Sequence, residues 1–260
     1  MSYRITYAIG DVHGRADLLA ALVAFCVRDA LSHGASPRFV FLGDICDKGP
    51  CSREAYDIVA DILGEYPGSV LLKGNHDDMF ERSVGRLQRN AVAAWLPRGG
   101  VETLNSYAAG DLELAVQIAG TVHSDHVRMV SESRLMLEDG EFLFVHAGID
   151  PTKPLDEQTD RDLIWLREPF MGHVGSLGKI VVHGHSIVGE RPVATENRIS
   201  LDTGAYASGR LTALRIAFGE LSFFQTDGDA SAVVEVDCVR EDRGQGTVLD
   251  VRTEAKRLAA

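Results

Sequence analysis

Three short apolar runs, Tyr3 to Ile9, Arg38 to Leu42 and Ser69 to Lys73, read as strands separated by two segments of helical spacing. The first segment carries Leu18, Leu22, Phe25, Cys26 and Leu31, and the second Tyr56, Ile58, Val59, Ile62 and Leu63. Asp17 is placed to cap the first helix and Gly34 to close it in a left-handed turn. Pro50 and Ser52 open the second, which ends near Gly64 to Pro67. Such β-α-β-α-β alternation predicts a parallel sheet with right-handed crossovers. From Asp77 to about Val130 helical spacing continues with few strand signals and one break, at Pro97 to Gly100. This predicts a helical insertion over one end of the sheet, a place where substrate selection could reside. Arg134 to Glu138 and Glu141 to Val145, joined by Asp139-Gly140, predict a hairpin. Asp150 to Pro154 reads as a turn, Asp160 to Phe170 as a short helix or extended loop, and Lys179 to Val182 as a strand. Arg198 to Leu201, Leu211 to Phe218 and Leu221 to Gln225 suggest a meander. After Asp227 the composition shifts to glycine and charge, with an edge strand at Val233 to Val236 and a polar tail at Lys256 to Ala260. The expected division is a catalytic domain over residues 1–227, its insertion at about 77–130, and an extension over 228–260.

The polar residues at the strand ends change the picture. Gly10-Asp11-Val12-His13-Gly14 follows the first apolar run, and Gly43-Asp44-Ile45-Cys46-Asp47-Lys48-Gly49-Pro50 follows the second. Gly74-Asn75-His76-Asp77, Val145-His146-Ala147-Gly148 and His183-Gly184-His185-Ser186 follow later ones. Any one of these is an ordinary exit from a strand into a turn. Together they bring Asp, His, Asp, Asn, His and His to the carboxyl edge of a sheet, where α/β proteins build sites. That combination reads as a metal site with two centres. Carboxylate, imidazole and amide oxygen suit Mn, Fe, Zn and similar ions rather than calcium alone. A carboxylate such as Asp44 has lone pairs enough to bridge two ions. Two ions roughly 3.5–4 Å apart can hold a hydroxide and clamp a phosphoryl oxygen, leaving the protein to supply an acid and a cation.

Composition narrows the class. The chain has 260 residues, enough for one large α/β domain or two small ones. Its net charge of −12 argues against a nucleic-acid surface, which would need a basic stripe. No apolar run is long enough to span a membrane, and the first residues lack the core of a signal peptide. Cys26, Cys46, Cys51 and Cys238 form neither a finger spacing nor a disulfide framework, which fits a reducing cytoplasm.

The five blocks, GDVHG, GDICDKG, GNHD, VHAG and VHGHS, resemble those of the calcineurin-like metallophosphoesterases, specifically the phosphoprotein phosphatase branch. That branch includes calcineurin, the lambda-phage phosphatase and bacterial Ser/Thr phosphatases, and the similarity runs from about Tyr7 to about Phe218. The resemblance implies a four-layer α/β/β/α sandwich with a helical insertion, and two metal ions: Mn, with Fe, Zn, Ni or Co as alternatives. Asp11 and His13 would hold the first ion, Asp44 would bridge, and Asn75, His146 and His185 would complete the second. His76, oriented by Asp47, would protonate the leaving oxygen after direct attack by a metal-bound hydroxide. Asp77 stands where the family more often has Glu. Lys48 stands where the family has an arginine that grips phosphate, so its grip would orient the phosphate less firmly. Arg167, in Ile164-Trp165-Leu166-Arg167-Glu168, is similar to an arginine of bacterial relatives, or is a surface residue after a packed Trp165. The implied function is a phosphomonoesterase, foremost a protein phosphatase acting on phosphorylated side chains. The alternative is a symmetrical diadenosine tetraphosphate hydrolase, for which the insertion would offer an aromatic pocket for adenine. A phosphoprotein or a phosphorylated small molecule is the implied partner, without nucleic acid or membrane. His183 is expected to be packed or to support the site; His33, His123, His126 and His173 to lie at the surface or helix ends; Cys46 and Cys51 to be packed thiols. Arg15 reads as solvated and Trp95, Tyr107 and Phe170 as core, while Asp202 to Tyr206 is either a turn with a packing Tyr or a stretch near the site.

Overall fold

A computed structural model describes residues 3–85 and 89–241. β1 (Arg4–Ile9), β2 (Ser36–Phe41) and β3 (Val70–Leu71) lie side by side and parallel. The sheet continues from β1 through antiparallel β9 (Thr212–Ala217), β10 (Glu220–Thr226) and β11 (Val233–Val236). A second six-stranded sheet runs in the order β12 (Val239–Arg240), β7 (Val193–Ala194), β8 (Arg198–Ser200), β6 (Ile180–His183), β5 (Phe142–Val145), β4 (Met136–Asp139).

Alternation along the strands sets the layers. Ala8, Val40 and Leu42 from the first sheet meet Phe144, Val182 and Ile199 from the second in a core between the sheets. Their neighbours Ile5, Tyr7, Ile9, Phe39 and Phe41 point the other way, onto α1 (Ala16–Ser32) and α2 (Ser52–Glu65). Leu143, Val145 and Val181 leave the outer face of the second sheet to pack on α8 (Asp160–Trp165) and Phe170. The protein is thus a four-layer α/β/β/α sandwich.

Between β3 and β4 the elements among the described residues are all helical: α3 (Asn75–Phe80), a π-helical turn (Glu81–Gly85), α4 (Arg89–Trp95), a 3₁₀ turn at Leu96–Arg98, α5 (Gly100–Tyr107), α6 (Leu112–Thr121) and α7 (Ser124–Ser131). These bury Phe80, Trp95, Leu104 and Tyr107 in the same core as α1 and α2.

Four expectations need correction. Asp17 lies in the first turn of α1 and does not cap it; the helix is entered at Arg15 without a side-chain cap. Asp17 instead accepts from the Arg15 guanidinium, which also reaches the Ala205 carbonyl, so Arg15 is tied down. The third run shortens to Val70–Leu71 because Leu72 bridges to Arg134 and the chain then turns into the site. Arg198–Ser200 belongs to the second sheet, beside β6, so it is no arm of a meander with β9 and β10. Gly34 does close α1 with φ of 64°. The segment after Asp227 supplies β11 and β12, edge strands of the two sheets, and the tail at 256–260 lies outside the described residues.

Candidate active site

All five polar blocks fall beyond the carboxyl ends of β1, β2, β3, β5 and β6, so both sheets contribute to one site. The backbone there is unusual. His13, Asp44, Asp47, Lys48 and His185 have φ between 46° and 74°, the left-handed region costly for residues with a Cβ. Strain of this kind persists only where surroundings over-determine it, and it gathers at functional sites. Two glycines permit the convergence. A Cβ on Gly74 would lie 2.1 Å from Asp44 Oδ1, and one on Gly184 would lie 1.9 Å from Asp11 Oδ1.

Asp44 is the centre. Donor atoms of Asp44, His146 and His185 lie within 4.8 Å of one another, as do those of His13, Asp44 and His76. His146 Nδ1 donates to the Leu42 carbonyl at 2.8 Å, which leaves Nε2 with a lone pair. That lone pair faces Asn75 Oδ1 at 3.0 Å and Asp44 Oδ1 at 3.4 Å, acceptor against acceptor. Asn75 Oδ1 also sits 2.9 Å from His185 Nδ1. A cation among them would satisfy all four atoms, so the donor set fits a metal ion. His13 Nδ1 likewise donates to the Cys46 carbonyl at 2.9 Å, turning Nε2 toward Asp44 Oδ2 at 3.6 Å. Asp11 is buried beside them and accepts the His185 backbone N–H at 3.0 Å.

Burial dominates the electrostatics. It lifts the Asp11 carboxyl well above its ordinary range, with Asp202 and Asp44 adding to the effect. It also lifts Asp77 and Asp202. Asp44 differs: burial pushes it up, but His146, His76, His13 and His185 outweigh that and hold it below its usual value. Burial depresses His13 and His185 to about 3, keeping both imidazoles neutral, the form that binds metals. For His76 burial pulls downward, yet Asp44 and Asp47 prevail and raise it.

His76 Nδ1 lies 2.6 Å from Asp47 Oδ2. Asp47 is itself held by residues 48 and 56 positions away along the chain. Trp95 Nε1 donates to both its oxygens at 2.9 and 2.8 Å, and Thr103 Oγ1 donates to Oδ1 at 2.6 Å. The Asp47 N–H in turn reaches Thr103 Oγ1 and Ser52 Oγ. Trp95 is core, as expected, but its indole N–H also positions the carboxylate that holds His76. Trp95→Phe removes a hydrogen bond to a charged group and should cost about 2 kcal/mol of stability. It should also lower turnover of alkyl phosphates more than that of nitrophenyl phosphate, which a purely structural loss would not do. Denaturation midpoints and parallel assays of the two substrates check this.

Asp77 acts as an anchor. It accepts from the backbone of Asp44 at 2.7 Å, Ile45 at 3.1 Å and Gly74 at 2.9 Å, and from Tyr56 at 2.8 Å. A side chain one methylene shorter than Glu thus ties the Asp44 loop to α3. Lys48 Nζ lies 2.9 Å from His13 Nε2 and 4.7 Å from the centre of the Tyr206 ring. The Asp202 to Tyr206 stretch therefore borders the site. Arg167 stands at the edge, its Nη2 3.5 Å from the His185 carbonyl.

His183 is packed, donating from Nδ1 to the Gly184 carbonyl and facing the Ser200 hydroxyl. Trp165 is not packed: it is 41 % exposed. His126 is buried rather than superficial, held between Tyr107 and Asp57, and with His123 forms a third cluster of possible ligands. Burial, with neighbouring acids, lifts the Cys46 thiol well above its ordinary value, as suits an unreactive packed group.

A family model for calcineurin-like phosphoesterases matches residues 6–207. Among similar proteins, the bis(5'-nucleosyl)-tetraphosphatase PrpE [asymmetrical] of Anoxybacillus flavithermus is 26% identical over 229 residues, 80% of this chain and 88% of its own length. The protein of the same name from Oceanobacillus iheyensis is 26% identical over 232 residues, 80% of this chain and 86% of its own. Among solved structures, one provisionally described as a diadenosine tetraphosphatase aligns with TM-score 0.60 at 18% identity, over 92% of this chain and 99% of the other. A cold-active protein tyrosine phosphatase aligns with TM-score 0.57 at 17% identity, over 91% and 80%.

Proposed function

Because the chain belongs to the calcineurin-like phosphoesterase family, a group of metal-dependent hydrolases, we propose that it splits dinucleoside polyphosphates at a two-metal centre. The observation that carries the reading is the pair of donor groups sharing Asp44, one with His13 and His76 and the other with His146 and His185, with Asp47 holding His76. Asp11, His13 and Asp44 would hold one ion, and Asp44, Asn75, His146 and His185 the other. When bound, such ions neutralise phosphoryl oxygens and make water a stronger nucleophile, and manganese suits this mixture of O and N donors. The residues do the rest. Asp47 takes the Nδ1 proton of His76 in a hydrogen bond and so presents Nε2 toward the site. Water contributes the oxygen that becomes bonded to phosphorus, the bond to the departing oxygen breaks, and His76 supplies a proton where that oxygen would otherwise leave as an alkoxide. Lys48 adds positive charge beside His13.

The substrate class is supported by the relatives' names, which specify an asymmetrical cut, whereas the alternative drawn from the sequence, behind a protein phosphatase, was a symmetrical one. Phosphorylated protein side chains are the second reading, supported by the order of the five blocks. Four free thiols support a reducing compartment, the cytoplasm. Hydrolysis of diadenosine tetraphosphate and of a phosphopeptide panel by the manganese-loaded protein separates the readings. Preference for the dinucleotide, with AMP and ATP as products, is expected; preference for phosphopeptides would overturn it.

Lys48→Ala should lower kcat/KM about tenfold, the effect of losing one charge-assisted contact. Unchanged kcat/KM would remove Lys48 from the phosphate site.

A further inference from the structure

An aromatic pocket for adenine was expected in the helical insertion, but Phe80, Trp95 and Tyr107 there are buried. Beside His185 a hollow of about 680 Å³ is lined by Trp165, Leu166, Arg82, Arg161 and Arg167. The acids Asp160, Asp162 and Glu168 line it too. Two of these are engaged: Asp162 by Lys153 at 2.6 Å, and Glu168 by the Gly172 N–H at 3.1 Å.

Trp165 ends α8, whose start is fixed by a reciprocal cap between Thr159 and Asp162 and whose body is anchored by buried Leu163 and Ile164. The ring is thus presented from a braced element while leaving two-fifths of its surface to solvent. It stands edge-on to the His185 ring, centroids 6.4 Å apart. The guanidinium groups come from three places: Arg82 from the turn after α3, held by Asp78 at 2.9 Å, Arg161 from α8, and Arg167 from the loop behind it. A flat apolar ring with several guanidiniums matches a ligand that is planar at one end and polyanionic along its length.

We infer that this hollow takes one nucleoside of a dinucleoside polyphosphate, its base stacked on Trp165 and its phosphates met by Arg82, Arg161 and Arg167. The inference rests on the dinucleotide reading above and adds where the nucleoside sits. Trp165 and buried Trp95 are the chain's two tryptophans, so an intrinsic-fluorescence change that disappears in Trp165→Phe reports the hollow directly.

The test titrates a methylene-bridged, non-hydrolysable diadenosine tetraphosphate into the manganese-loaded protein, with tripolyphosphate and a phosphoserine peptide in parallel. The dinucleotide analogue should quench Trp165. In calorimetry, Trp165→Ala should reduce the ratio of analogue to tripolyphosphate affinity about tenfold, the order of one stacked base. An unchanged ratio, or quenching by the phosphopeptide and not by the analogue, would overturn the assignment. Turnover distinguishes the two levels. If the wild type cleaves diadenosine tetraphosphate but the ratio is unchanged, only the placement fails; if it cleaves phosphopeptides alone, the substrate class fails first.

Discussion

Asp44→Asn is expected to reduce turnover of every substrate on the order of 10³-fold, because the two donor groups have this one residue in common. The substitution keeps an oxygen for the His76 N–H, which Asp44 Oδ1 now accepts at 2.9 Å, so the local fold should survive. What changes is charge. Asp44 is the one carboxylate here held below its usual value, drawn down by four surrounding imidazoles, and its neutral amide replacement cannot bridge two cations. A second readout follows from linkage. If manganese binds the folded chain alone, excess metal raises stability by about 4 kcal/mol at a thousand times its Kd. The wild type should therefore lose several degrees of Tm on chelation, while Asp44→Asn should melt at nearly the same temperature with and without metal. Full turnover in the variant would remove Asp44 from the centre.

His76→Asn should cost between about 10² and 10⁴ in kcat on a phosphoserine peptide, the range for loss of a positioned acid. The loss should be far smaller for nitrophenyl phosphate and for a dinucleoside polyphosphate, whose leaving oxygens are stable without a proton. Metal content should be unchanged. That point decides between two roles the geometry alone permits, since a metal-bound histidine also often leans on a carboxylate as His76 leans on Asp47. The pH dependence has a definite sign. The neighbouring carboxylates raise His76 above its ordinary value, so its proton is lost only as pH rises through that raised value. Alkyl-ester turnover should fall along that limb in the wild type, and the limb should be missing in the variant. Loss of an ion from His76→Asn would make His76 a ligand instead.

The parts of the site visible in the sequence are those that sit immediately after an apolar run. Asp11, Asp44, Asn75 and His146 follow strands, and a strand's direction fixes where its end delivers the next side chain. The two-sheet stack was expected from the family resemblance and not from the alternation, although Ala8 and Val40 do face one core and Tyr7 and Phe39 the other. What stayed hidden depends on contacts between distant segments. Trp95 meets Asp47 across 48 positions and Tyr56 meets Asp77 across 21, and no spacing rule links them. The pairing of β8 with β6 was likewise invisible, because a three-residue strand carries no mark of its sheet. Trp165 was misread as packed for a related reason: burial of a helix's last residue depends on what crosses above it, and at α8 the residues beneath, Leu163 and Ile164, take the core.

Anomalous diffraction from manganese-loaded crystals would show whether a pair of ions shares Asp44. Two peaks on either side of the Asp44 carboxylate, one reached by Asp11 and His13 and the other by Asn75, His146 and His185, are the expected result. A single peak, or density only at the Asp57, His123 and His126 cluster, would contradict it.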